Sequence, residues 1–349
     1  LEASLRAERP PEAGRKRVQE DLRLARADRP PGPGLIVTPE GAAELPPLTG
    51  GADAKWEGRI GIEALHDSNP ALVSGDLPFP IFGMDEPASD IATQLDLRLG
   101  YQPFQGRRGW SLGLDVSGSH STHQDLDELD LSLARGTVSL GWKSGGRFTV
   151  LLQGSGARAW LGGDSYLDLA EGSVSFGFRE TAWTATRIEV EVRDRSFEPA
   201  LTDFFHGGRE ASLGLSQSFS LGRPDRQLRL GARAAEVSGT LGSDAEIREA
   251  LAEIAAPLSS RWAVVLAGSW AEQSFDHGAS NFVFSAGPAR DDDLWRVSAA
   301  SAYRLTPRVQ WTARASWAER DSNVELFASQ PLLDYRRTVV ATGLGWSFR

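Results

Sequence analysis

The sequence predicts an all-β fold: a closed antiparallel transmembrane β-barrel of about fourteen strands with a short N-terminal periplasmic helix. Three observations carry this. Apolar and polar residues alternate with period two in segment after segment from Trp56 to Phe348, the mark of strands with one apolar face. No apolar run approaches the roughly twenty residues that a membrane helix needs. Short turns and longer connections alternate along the chain, as they do in outer-membrane barrels.

Composition narrows the classes. The chain has 349 residues, no Cys, one Met, 11 Trp, 37 Gly and a formal charge of −10. Without Cys there are no disulfides, thiolate metal sites or cysteine nucleophiles. An acidic chain with no clustered basic surface lacks the means to neutralise phosphates, so nucleic acid is excluded as a partner. The first residue is Leu1 and no signal segment is visible, so either a presequence has been removed or the sequence is a fragment.

Residues 1–28 differ from all that follows. Pro10 and Pro11 precede Glu12, a helix start with an acid at the positive dipole end, and Val18, Leu22 and Ala25 share one helical face. A lone amphipathic helix must dock elsewhere, on the barrel or a periplasmic partner, or be the remnant of a helical repeat array; the alternative is a frayed tail. Residues 29–54 carry Pro30, Pro31, Pro33, Pro39, Pro46 and Pro47 and read as a linker. The barrel then occupies 55–349.

Strand by strand, Trp56, Ile60 and Ile62 oppose Glu57, Arg59 and Glu63. Leu95, Leu97, Leu99 and Tyr101 alternate with Gln94, Asp96, Arg98 and Gly100, and Trp110, Leu112, Leu114 and Val116 return after a turn. Leu129 to Trp142 and Phe148 to Trp160 form the next pair. The apolar register slips between Leu133 and Val138, which predicts a bulge near Arg135 and Gly136. Tyr166 to Phe178 pairs with Trp183 to Val192, where Ile188, Val190 and Val192 oppose Arg187, Glu189, Glu191 and Arg193. Ala211 to Leu221 and Leu228 to Val237 follow. Ile247 to Ala256 suits a strand or a short helix. Trp262 to Trp270, Trp295 to Tyr303, Val309 to Trp317 and Val340 to Phe348 complete the set. Short turns near Gln105, Ser144, Glu180, Pro224, Ser259 and Pro307 alternate with longer loops near Pro80, Ser121, Asp164, Phe204, Ser243, Gly278 and Ser329. Short turns belong in the periplasm, which puts both termini there and the barrel in the outer membrane, its partner the surrounding lipid.

The candidate site is the inner wall. Glu57, Arg59, Asp96, Arg98, Asp115, Glu189, Glu191, Arg193, Arg229, Arg233 and Arg314 fall on polar faces and read as lumen-lining. They either gate or select a solute, or pair with one another and fill the barrel. All five histidines, His66, His120, His123, His206 and His277, fall in predicted external loops. His120 and His123, with Asp125, are the candidate metal ligands, but their spacing matches no established site, so no metal is expected. A barrel hydrolase would place Ser and His on the wall; with no His in a predicted strand, no enzyme is expected. Gly154-Ser155-Gly156 has no helix after it and is not a phosphate loop. The tryptophans read as interfacial anchors.

Two stretches carry a family resemblance. Ala318-Glu319-Arg320-Asp321-Ser322-Asn323, Leu326-Phe327, Asp334-Tyr335-Arg336-Arg337 and Gly343-Leu344-Gly345-Trp346-Ser347-Phe348 resemble the closing hairpin of the surface lipoprotein assembly modifier family and related tetratricopeptide-linked outer-membrane barrels. Trp56 and His66-Asp67-Ser68-Asn69 resemble that family's first strand and loop, and Arg9-Pro10-Pro11-Glu12 the end of its repeat domain. The resemblance implies a fourteen-stranded barrel that helps an exported client, a lipoprotein or other secreted chain, reach the surface. The runner-up reading is a passive or gated porin for a small solute. A structural barrel that sheathes or anchors a cytochrome is a third possibility; lacking Cys, this chain has no haem attachment and no cofactor of its own is expected.

Overall fold

The computed structural model describes residues 56–69, 89–105, 109–126, 129–144, 147–197, 208–222, 226–239, 244–275, 290–323, 325–326, 330–331 and 334–348. The predicted helix at 1–28 and linker at 29–54 lie outside these residues, as do His206 and His277. The strands are β1 (Trp56–Asp67), β2 (Asp90–Gln105), β3 (Trp110–His123), β4 (Leu131–Ser144), β5 (Phe148–Leu161), β6 (Asp164–Arg179), β7 (Thr184–Phe197), β8 (Gly208–Ser220), β9 (Gln227–Gly239), β10 (Ala245–Pro257), β11 (Trp262–Phe275), β12 (Asp291–Arg304), β13 (Val309–Ser322) and β16 (Tyr335–Phe348). Two short strands, β14 (Glu325–Leu326) and β15 (Gln330–Pro331), pair only with each other. The long strands form one closed barrel in chain order, with β16 antiparallel to β1 and Gly58 opposite Phe348. Chain entry and exit therefore share one end, the near end.

Closure satisfies every edge, and the alternation then sorts the side chains. Ile62, Leu95, Leu97, Val116, Val138, Leu152, Phe176, Val192, Leu213, Leu266, Val297 and Val340 are exposed large hydrophobics that share the outer face of their strands. Aromatics cap this face at the near end, where Trp56 stacks on Tyr101 at 4.1 Å and Trp110–Trp142, Phe148–Phe178 and Trp346–Phe348 lie 6.3, 4.8 and 5.0 Å apart. Trp270 and Trp295 pair at 6.1 Å farther along. The Trp262 and Trp311 indole N–H groups donate to Ser301 and Thr342 on adjacent strands, an amphipathic use of the ring suited to a membrane boundary. A closed ladder and an apolar, aromatic-edged exterior are the two conditions for spanning hydrocarbon with strands. The fold is a transmembrane β-barrel.

Several local expectations are corrected. No bulge falls at Arg135 and Gly136: β4 pairs without interruption with β3 and β5. The register shifts lie instead between Tyr101 and Phe104 and between Ala159 and Trp160. The second shift turns Tyr166 onto Phe197, edge-on at 5.8 Å, in a buried cluster with Leu161 and Ala159. The stretch from Ile247 to Ala256 is strand, paired along its length with β9 and β11. Trp183 stands in the turn before β7. The connection near Asp164 is no loop but the tight turn of Gly162 and Gly163, with φ of 57° and 89°, the double positive φ of a two-residue hairpin.

Candidate functional site: the charged inner wall

The polar parity of each strand turns inward. Arg314 on β13 reaches Gln94 on β2 at 3.5 Å across the intervening β16 and β1, a span that side chains can make only over the concave side of the wall. All eleven predicted residues share this inner face.

They are organised by guanidinium–carboxylate bonds. On β4 to β9 a continuous network runs over the wall. Arg135 donates through Nη2 to Ser155 Oγ at 3.0 Å and to Glu171. Arg193 donates to Glu171 at 2.8 Å and to Glu191 at 2.5 Å, and reaches Glu210 at 3.4 Å. Glu210 also accepts from Arg195 and Arg233. Arg233 stands directly opposite Glu249 of β10. Arg193 and Glu210 are 3% and 2% exposed, and buried charges at that level persist only when paired and hydrogen-bonded.

The other side of the barrel carries a smaller group. Glu63 on β1 lies 3.0 Å from Arg314 Nη2 and accepts from Thr312 at 3.2 Å. It crosses β16 at Gly343, where a methyl group would come within 2.3 Å of the Ile62 carbonyl oxygen and 2.5 Å of Glu63 Cγ. Gln94 donates on to Asp96 at 2.8 Å. Toward the near end Arg98 donates to Asp115 at 2.8 Å, Arg187 to Glu189 at 3.1 Å, and Arg229 to Glu253 at 3.0 Å. Glu57 and Arg59 lie there too, beside Gly100 and Gly345.

The structure thus joins Glu191, Arg193 and Arg233 in one network, pairs Arg98 with Asp115, and separates Arg314 from both. The node residues Glu171, Glu210 and Arg135, and Glu63 as the Arg314 partner, were not among the predicted lumen residues. Glu171 stands between Ala170 and Gly172, and Glu210 follows Arg209 at the start of its strand rather than in an alternating row of charges, so only strict parity along the full strand marks them.

The histidines are corrected: His66 lies in β1, and His120 and His123 lie in β3. His120 sits on the outer face with Nδ1 2.8 Å from Ser132 Oγ. His123 is buried on the inner face, 3.5 Å from Asp130. Facing opposite sides of the wall, the two cannot share an ion. Among the described residues no group of three or more His, Asp or Glu is placed to hold a metal.

An apolar exterior around a charged interior defines the class: an outer-membrane β-barrel. No protein-family model and no curated protein sequence matches the chain. Solved structures it is similar to include an anion-selective porin from Comamonas acidovorans, at 11% identity and a TM-score of 0.47, covering 84% of this chain and 98% of that one. OccAB3 of Acinetobacter baumannii is similar at 9% identity and 0.46, covering 84% and 100%. OprD of Pseudomonas aeruginosa is similar at 8% and 0.42, covering 84% and 96%.

Proposed function

We propose that the barrel is an outer-membrane conduit for a small hydrophilic solute, with its near end in the periplasm. The observation that carries this is the inner wall, where Arg135 on β4, Glu171 on β6, Arg193 on β7, Glu210 on β8 and Arg233 on β9 form a belt of alternating sign, bridged over β5 by Ser155. The centre of this belt is buried, but toward the near end Arg98 and Arg187 keep 38% and 46% of their side chains exposed beside Asp115 and Glu189, and a lumen lined by both signs favours polar solutes over either ion alone. The orientation rests on the near-end turns, such as 180–183 and 258–261, which are short, whereas 70–88 and 276–289 separate strands at the far end. Purified barrel in planar bilayers tests the reading: it predicts steady ohmic currents with weak selectivity, and a membrane-inserted barrel that passes no current defeats it.

A second reading, export of a lipoprotein or other secreted client, is favoured by one observation. The two stretches that carry the family resemblance meet at the closing seam: Arg337 binds Asp67, Asn69 donates to the Arg336 carbonyl at 3.1 Å, and the Thr338 N–H donates to Ser68 Oγ at 2.8 Å. A deletion strain whose surface lipoproteins are displayed normally would remove this reading and leave the conduit standing.

A further inference from the structure

We infer that the inner wall of β4 to β7 carries a binding subsite for an amphiphilic solute with one apolar group and one anionic head. The inference rests on the conduit reading for its physiological meaning, and on Leu133 for its geometry. Among the described strand residues, every other exposed large hydrophobic lies on the outer face of its strand; Leu133, 39% exposed, lies on the inner one. It stands opposite Ala159 of β5 and Ser119 of β3 and shares its parity with Arg135. The slip in the apolar register between Leu133 and Val138 is therefore not a backbone irregularity. It is a change of environment along one regular strand, with Val138 facing lipid and Leu133 facing the lumen.

Leu133 is not alone. Leu131 and Leu167 pack on the buried cluster of Ala159, Leu161, Tyr166 and Phe197. Leu133, opposite the cluster's Ala159, keeps 39% of its surface exposed on the lumen side. One step toward the near end on the same face, the apolar surface gives way to the charged belt. Arg135 follows Leu133 by two residues, roughly 7 Å along a strand, a spacing that fits the ring-to-carboxylate length of an aryl or short alkyl acid. The Arg135 side chain is 29% exposed and its partner Glu171 only 11%. Only Nη2 of that guanidinium is engaged by Ser155 and Glu171, so the group shown to the lumen beside Leu133 is a cation with donors to spare. An arginine in this state selects a carboxylate head.

The test uses the full chain in lipid nanodiscs and ligand-observed saturation-transfer NMR with three probes: 3-phenylpropionate, 3-phenylpropylammonium and acetate. Phenylpropionate is expected to saturate at concentrations at least about tenfold below the other two. Leu133→Ser is expected to weaken phenylpropionate about fivefold and leave acetate unchanged, and Arg135→Gln to abolish the preference for anion over cation. Equal binding of the ammonium probe, or an unaltered phenylpropionate curve in Leu133→Ser, overturns the proposal. Because the wild-type comparison needs no variant, a substitution that fails to fold does not shield it. Currents recorded on the same preparation separate the two readings. Ring-dependent binding without conduction defeats the conduit and keeps the subsite; conduction without ring-dependent binding defeats the subsite alone.

Discussion

Arg337 holds Asp67 across the closing seam of the barrel, its Nε 2.8 Å from both carboxylate oxygens and its Nη2 on Oδ2 as well. The two residues come from opposite ends of the barrel sequence. Asp67 is 1% exposed and also accepts from the Asn69 N–H at 3.1 Å, so its charge depends on Arg337 for compensation. Arg337→Ala is expected to cost about 3 kcal/mol, the usual penalty for stranding one member of a buried pair. Asp67→Asn with Arg337→Gln should recover part of that loss. Heat-dependent mobility of the folded barrel on gels reads both, and a single variant as stable as the wild type would show the seam does not depend on the pair.

Gly343 is required by the path of Glu63, whose side chain crosses β16 at that point to reach Arg314 and Thr312. Gly343→Ala is expected to destabilise by about 1–3 kcal/mol through overpacking. Gly172→Ala, on the outer face with nothing within 4 Å of the added methyl, should stay within about 0.5 kcal/mol of wild type. Chemical denaturation of both in the same detergent gives the comparison.

Glu210 gathers Arg193, Arg195 and Arg233 around one carboxylate. Glu210→Gln leaves these guanidinium groups in local excess. The reversal potential in a KCl gradient should move toward chloride, with a loss of stability of about 2 kcal/mol or more. A potential that stays at the wild-type value would mean that permeating ions do not sense this part of the wall.

Glu180, in the near-end turn between β6 and β7, has its carboxyl held below the usual range, first by the Thr186 hydroxyl, against a smaller opposing effect of burial. A carboxylate with a folded value below its unfolded one adds stability at neutral pH and loses it as the pH falls through the folded value. Acidification should therefore narrow the stability gap between the wild type and Glu180→Gln. Melting curves at neutral and acid pH measure this; a gap that widens in acid would reverse the assigned sign.

The strands and their faces were legible because barrel alternation is local: Leu95, Leu97 and Leu99 against Asp96 and Arg98 need no knowledge of the rest of the chain. β10 was ambiguous because Glu, Ala and Leu, which fill it, favour helix when considered alone, and only pairing with β9 and β11 decides for strand. The Gly162 and Gly163 turn was legible in principle as a glycine pair between alternating segments. The ion network was half legible. Parity puts Arg314 on the inner face, but its reach to Glu63 depends on wall curvature and on the small Gly343 between them, neither of which is a local property. Leu133 was visible as an anomaly, and its cause was not, since a bulge and an inward-facing apolar residue leave the same trace in the alternation.

The most direct measurement is thiol accessibility along one strand, for which the absence of native cysteine makes the chain suited. Single cysteines at Leu112, Gly113, Leu114, Asp115, Val116 and Ser117 of β3 in reconstituted barrels can be challenged with a charged, membrane-impermeant thiol reagent. Labelling should alternate, fast at Gly113, Asp115 and Ser117 and slow at Leu112, Leu114 and Val116. Uniform labelling of all six, or the opposite alternation, would contradict an exterior in lipid around an interior in water.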